Sequence, residues 1–137
     1  MSMKYDPNFP MEQDRLKKQA EILKAFDNRL FETAMKRFDK LPKVGIDLGC
    51  SRGYAAFNRF GNYDHFERIL GIDIDSDSLQ IADKESEKYL ANWTFKKTSL
   101  EEPEELAKAI GDFLEGYTEP VLVWSAFVFH FFKDPMS

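Results

Sequence analysis

The chain is poor in the residues on which disulfide-bonded, zinc-binding and nucleic-acid-binding proteins depend. It has one cysteine and two histidines. A single thiol excludes an internal disulfide, and too few Cys and His are present for a structural zinc site, so a reducing, cytoplasmic setting is expected. No apolar run is long enough to span a bilayer, and the polar start, MSMKYDPNF, has no signal-peptide pattern. Basic charge is not in excess either: 19 Lys and Arg stand against 24 Asp and Glu, a net charge of −5. The balance is nine against seven over residues 1–40 and ten against seventeen over residues 41–137. Such an acidic body, with Lys96-Lys97 too short to form a basic patch, is not that of a phosphate-backbone binder. Neither nucleic acid nor a membrane is an expected partner.

What the chain does have is apolar mass. In 137 residues, 43% are hydrophobic and 13 are Phe, enough for one packed core and too few residues for two domains. Over residues 11–41 Leu16, Ala20, Leu23, Leu30, Ala34 and Phe38 recur at helical spacings, with Phe26, Phe31 and Met35 widening the stripe. The spacing predicts one long amphipathic helix, or two with a break near Asp27-Asn28, stopped by Pro42. Strand and helix patterns then alternate. Val44–Leu48 reads as a buried strand and a helix starts around Gly53. Residues 68–74, RILGIDI, form the second strand, and a capped helix with Leu79, Ala82 and Leu90 on its apolar face follows. Residues 93–97 make the third strand. After it, Leu106, Ala109, Ile110, Phe113, Leu114 and Tyr117 line a helix, and VLVWSAFVFHFF carries the fourth strand. Repeated strand-helix units imply an α/β, doubly wound parallel sheet, whose ligands sit at the carboxyl ends of the strands.

The loop after the first strand, in VGIDLGCSRGYAAF, narrows the choice of ligand. A dinucleotide fingerprint would need glycine at positions 49, 51 and 54, where this chain has Gly49, Ser51 and Tyr54. No G-K-[ST] follows, so a phosphate-cradling P-loop is also missing. The remaining pattern, Asp47-x-Gly49-x-Ser51-x-Gly53, resembles the first motif of class I S-adenosylmethionine-dependent methyltransferases, with Ser51 at the middle glycine. Gly71-Ile72-Asp73-Ile74-Asp75 is similar to the second motif of that family, TFKKTSLEEP to the third, and PVLVWSAFVFHFF to the fourth strand and the segment beyond it. Four motifs in this order and spacing make the resemblance specific. Glu12-x-x-Arg15-Leu16-x-x-Gln19-Ala20 is similar to the leading helix of many bacterial small-molecule members.

The resemblance implies a Rossmann-like fold with an N-terminal helical lid over residues 1–42 and an S-adenosylmethionine-binding α/β core over residues 43–137, a single partial domain with about four of the family's seven strands. It implies that the backbone of Gly49, Cys50, Ser51 and Gly53 approaches the methionine part of S-adenosylmethionine. Asp47 faces its ammonium and Arg15 its carboxylate. Asp73 holds the ribose diol, Ile74 packs on the adenine, Ser99 and Leu100 frame the adenine edge, and Ser125 and Phe127 border the sulfonium. His130 is the candidate general base for a hydroxyl acceptor. No Asn/Asp-Pro-Pro-Tyr run follows the fourth strand, which disfavours nucleobase and glutamine acceptors and leaves a small organic molecule. Plainer roles compete at several positions: Cys50 as a small buried residue, Asp75 as a helix cap, and Ser99 as the start of a capping box with Glu102.

A fourth strand left as an apolar edge invites cover, either from the missing C-terminal part of a longer protein or from a second copy in a homodimer. Two other functions stay open, a non-catalytic module that binds S-adenosylmethionine and an NAD-linked Rossmann oxidoreductase.

Overall fold

The computed structural model describes residues 14, 15, 18 and 24–125, the side chains of residues 25–27 excepted. Its elements are α1 (Lys24–Met35), β1 (Val44–Leu48), α2 (Tyr54–Phe60), β2 (Arg68–Asp73), α3 (Ser76–Ser86), β3 (Asn92–Lys97), α4 (Pro103–Phe113) and β4 (Val121–Ser125). The strands form one parallel sheet in the order β3-β2-β1-β4. The chain therefore winds outward from β1 to β3 and returns to β1's other side with β4, placing a topological switch point between β1 and β4. In register, Leu48 lies opposite Ile72 and Ser125, and Asp73 opposite Lys97, so the carboxyl ends of all four strands meet at one rim.

Alternation along the strands sends side chains to two cores. On one face Ile69, Trp93 and Leu122 pack under Phe31 and Met35 of α1, Ala56, Phe57 and Phe60 of α2, and Leu79 and Ala82 of α3. On the other, Ile46, Leu70 and Ile72 pack against Leu106, Ile110 and Phe113 of α4. Many of the phenylalanines are spent on the first core. The Phe31 ring, fully buried, meets Phe60 at 5.0 Å, Trp124 at 5.1 Å and Tyr63 at 5.4 Å between centroids, and so fastens α1 to both α2 and β4.

The structure departs from the sequence pattern in three places. The α1 helix runs through Asp27-Asn28 without a break, the first of the two readings, but ends at Met35 and not near Leu41, with Arg37 and Phe38 turning to bond back to Ala34 and Met35 carbonyls at 3.1 and 3.2 Å; Phe38 still packs on the core. Leu90 does not belong to the apolar face of α3, because the helix closes at Ser86 and Leu90 is 96% exposed. Ser99 does not cap α4. The helix begins at Pro103 with Glu102 as its cap residue, and the Ser99 hydroxyl instead accepts from the Glu101 amide at 3.2 Å. Proline at the first helical position needs no amide partner, which moves the helix start past the expected box. The capping role expected of Asp75 is observed: its carboxylate accepts from the Ser78 amide at 2.8 Å.

Because Phe31 fastens α1 to both α2 and β4, Phe31→Ala is expected to cost about 3–5 kcal/mol, to be measured by urea denaturation.

Candidate functional site

The rim is organised around Asp73, the last residue of β2. Its Oδ2 accepts from the Ser51 amide at 2.8 Å and its Oδ1 from the Asp75 amide at 3.0 Å, while its own carbonyl accepts from the Thr98 amide at 3.0 Å. One residue thus joins the loops after β1, β2 and β3. A carboxylate has about four acceptor positions, so Asp73 keeps acceptor capacity beyond its amide bonds. Burial pushes the Asp73 carboxyl above the usual aspartate range; hydrogen bonds from the amides of Asp75, Ser51 and Ile74 pull it back, and the Asp75 charge adds to the rise. Directly after it, Ile74 is 63% exposed, an apolar side chain at the open end of the sheet.

The loop of residues 49–53 gains its shape from left-handed backbone at three positions. Gly49 has φ 81° and Gly53 φ 91°, and Ser51 adopts φ 51° despite its side chain. A Cβ at Gly53 would also collide with the Phe57 ring. The strain at Ser51 is offset by the bond from its amide to Asp73, a charge-assisted contact. Amides of Gly49 and Cys50 donate to the Ile72 carbonyl at 2.7 and 3.0 Å, and that of Gly53 to Cys50 at 2.9 Å. These four amides are hydrogen-bonded within the protein, and it is their bonds that hold the loop in shape. The Ser51 hydroxyl is different: it is buried and has no hydrogen-bond partner among the described residues.

Asp47 is not at the rim surface. Its carboxylate is 1% exposed and both oxygens lie 3.2 Å from Nη2 of Arg59, itself 2% exposed. The guanidinium also lies 5.7 Å from the centre of the Trp124 ring on β4. A charge on a central strand needs a partner, and α2 supplies it. Sequence reasoning missed Arg59, although the signal was available: it stands among Ala56, Phe57 and Phe60 in a helix whose inner face is apolar.

Cys50 is buried with its Sγ against Gly71, where an added Cβ would come within 3.0 Å of the sulfur and 2.8 Å of Phe95. The bare backbone of Gly71 is what lets the loop and Phe95 close over β2. Burial first, then the charges of Asp47 and Asp73, pushes the Cys50 thiol well above its usual range. Of the other candidates, Leu100 packs against the α4-side core, Ser99 follows the buried Thr98 beside Asp73, and Ser125 is exposed at the end of β4, opposite Leu48. Arg15 is an exposed helical residue upstream of α1. Phe127 and His130 lie outside the described residues. A separate cavity of about 410 Å³, lined in part by Tyr63, Phe66, Lys88, Leu90 and Trp93, opens at the amino ends of β2 and β3, away from the rim.

Fold and rim together define a Rossmann-like parallel sheet with its topological switch point between β1 and β4. Comparison with solved structures supports that architecture. The chain is similar to a protein from Methanococcus maripaludis described as a "putative s-adenosyl-l-methionine-dependent methyltransferase", with 16% identity and a TM-score of 0.57, over 98% of this chain and 57% of that one. The chain thus spans a little over half the length of that structure, and the likeness is one of fold. No family model and no curated protein matches the chain. Among the described residues no helix is long and apolar enough to cross a membrane, and no cluster of metal-ligating side chains occurs.

A thiol this buried and held protonated should resist alkylation. Iodoacetamide at neutral pH is expected to leave Cys50 unmodified in the native protein and to label it in urea, as read by mass spectrometry.

Proposed function

We propose that the chain is the S-adenosylmethionine-binding part of a methyltransferase that acts on a small organic acceptor. The observation that carries this reading is Asp73: a carboxylate at the carboxyl end of the second strand, held by backbone amides of the loops after β1 and β2, with acceptor capacity to spare and an exposed Ile74 beside it. A ribose diol would take the spare positions, and an adenine face would cover the isoleucine. The residues present fit that group on a second count, since the buried, unpartnered Ser51 hydroxyl lies in the same loop and gains a partner from a polar ligand. Likeness in fold to a protein described as a methyltransferase of this kind adds support.

When bound, the cofactor supplies a methyl group on a sulfonium, and the protein's task is orientation. Positioning of this kind contributes on the order of 7–11 kcal/mol in well-aligned reactions. Asp73 and Ser51 would fix the nucleoside, and the end of β4 at Ser125, next to Leu48 in register, would place the acceptor side of the crevice. Phe127 and His130, which follow β4 in the chain, are proposed for the acceptor side, and residues 1–42 for a lid. An NAD-linked reading has less support, since the second fingerprint glycine is Ser51 and the third is Tyr54, the first residue of α2.

Isothermal titration with S-adenosylhomocysteine tests the reading, with NAD as control. Binding is expected for the first alone, and Asp73→Ala should weaken it at least tenfold; NAD binding in its place would overturn the proposal. The pH dependence has a definite sign. Only the ionised Asp73 accepts from both hydroxyls, and its folded pKa is raised, so affinity is full well above that value and falls as pH drops through it. The loss begins at a higher pH than an ordinary aspartate would give. Titrations between pH 7 and pH 4, the wild type alongside Asp73→Ala, check this.

A further inference from the structure

The loops that enter β2 and β3 enclose the cavity of about 410 Å³, at the end of the sheet opposite the rim. Since β2 runs from Arg68 to Asp73, about 16 Å of strand lies between that end and the rim. Residues 61–64, after α2, form one side of the cavity, and residues 88–91, after α3, form the other. Its aromatic walls are held by further rings. Tyr89 stacks on Phe57 at 4.7 Å, and Trp93 lies parallel to Phe95 at 5.7 Å and edge-on to Phe57 at 4.9 Å. Phe66 meets Phe60 edge-on at 4.9 Å, and Tyr63 leans on Phe31 at 5.4 Å. Rings packed in this way have little freedom to move into the space, so the cavity is preformed.

The lining decides what the cavity can take. Aromatic rings, with Ile69 and Leu90, offer dispersion contacts and apolar cover to a flat molecule. Leu90 is 96% exposed and Tyr89 38% exposed, so apolar surface at the mouth stands in water until something covers it. The charged groups of the lining are one of each sign, Asp64 and Lys88, and Lys88 is already bonded to Glu85 at 2.9 Å. An ion would gain little from such a balanced, solvated pair. Size narrows the choice further. A cavity of about 150 Å³ accommodates benzene, so one of about 410 Å³ takes two or three rings. We infer that this cavity is a second ligand site, distinct from the rim, and that it takes an uncharged aromatic molecule of two or three rings. The inference stands whether or not the rim binds S-adenosylmethionine.

The test is a titration of the isotope-labelled full chain with 2-naphthol, followed through the amide and indole N–H signals in nuclear magnetic resonance spectra. Saturable shifts are expected, largest at the amides of residues 61–66 and 88–93 and at the Trp93 indole, with half-saturation below about 1 mM. Phenol, with one ring, and 2-naphthoate, which carries a charge, should each bind at least threefold more weakly. Leu90→Glu, at a position exposed enough to leave the core intact, should weaken 2-naphthol binding at least threefold. Absence of saturable shifts at these residues overturns the inference, as do shifts largest at residues 49–53 and 73–75, which would put the probe on the rim. A difference of less than threefold for either comparator overturns the ligand class. Less than threefold weakening in Leu90→Glu would place the probe outside the cavity and overturn the site.

Discussion

The ion pair between Asp47 and Arg59 is the constraint around which the first core is arranged. A carboxylate on the central strand is tolerated only with a cation beside it, and removing one member of such a pair typically costs about 3–5 kcal/mol. Arg59 meets this demand from the inner face of α2, and the requirement sets how that helix sits on the sheet. The next residue, Phe60, then lies over Gly45, where an added side-chain carbon would collide with its ring. Phe31 of α1 packs edge-on to Phe60 and to Trp124, the strand partner of Asp47 in β4. One polar contact and the rings stacked around it therefore align α1, α2, β1 and β4.

Two carboxylates on neighbouring strands show how position along a strand decides what satisfies a charge. Asp47 lies in register with Gly71, two residues before Asp73 on β2. That displacement along the strand direction takes a carboxylate from the interior to the rim. Inside, a side-chain cation satisfies it. At the rim, backbone amides of the loops satisfy it in its place. The same bonds fix the loop, so Asp73 shapes the turn around it. Ser51 shows the cost: a non-glycine residue held in left-handed backbone, kept there by its bond to Asp73.

Much of this organisation was legible in the chain. The strand at Val44–Leu48, the alternation of strands and helices, the Asp75 cap and the prominence of Asp73 follow from local pattern, because β-branched runs, small-residue loops and capping side chains act within a few residues of themselves. Helix boundaries were less legible. The helix at Pro103 starts where proline dispenses with an amide partner and not at the Ser99 box, and Leu90 continues the α3 stripe in sequence although the helix has already closed. Arg59 escaped notice for a different reason. Its partner is twelve residues away on a strand, and a contact of that kind leaves no periodic trace.

The sequence by itself determined the class of sheet, the loops at its carboxyl rim and the carboxylate that ends its second strand, since each depends on residue types at short range. Only the tertiary structure decided which of the two acidic residues in the matching motifs is buried against a cation and which joins the loops of the rim. That choice depends on burial and on a cation brought in from another element. Whether a carboxylate is a structural counter-ion or a ligand contact is a property of its surroundings, and the surroundings of Asp47 are assembled from α2 and β4.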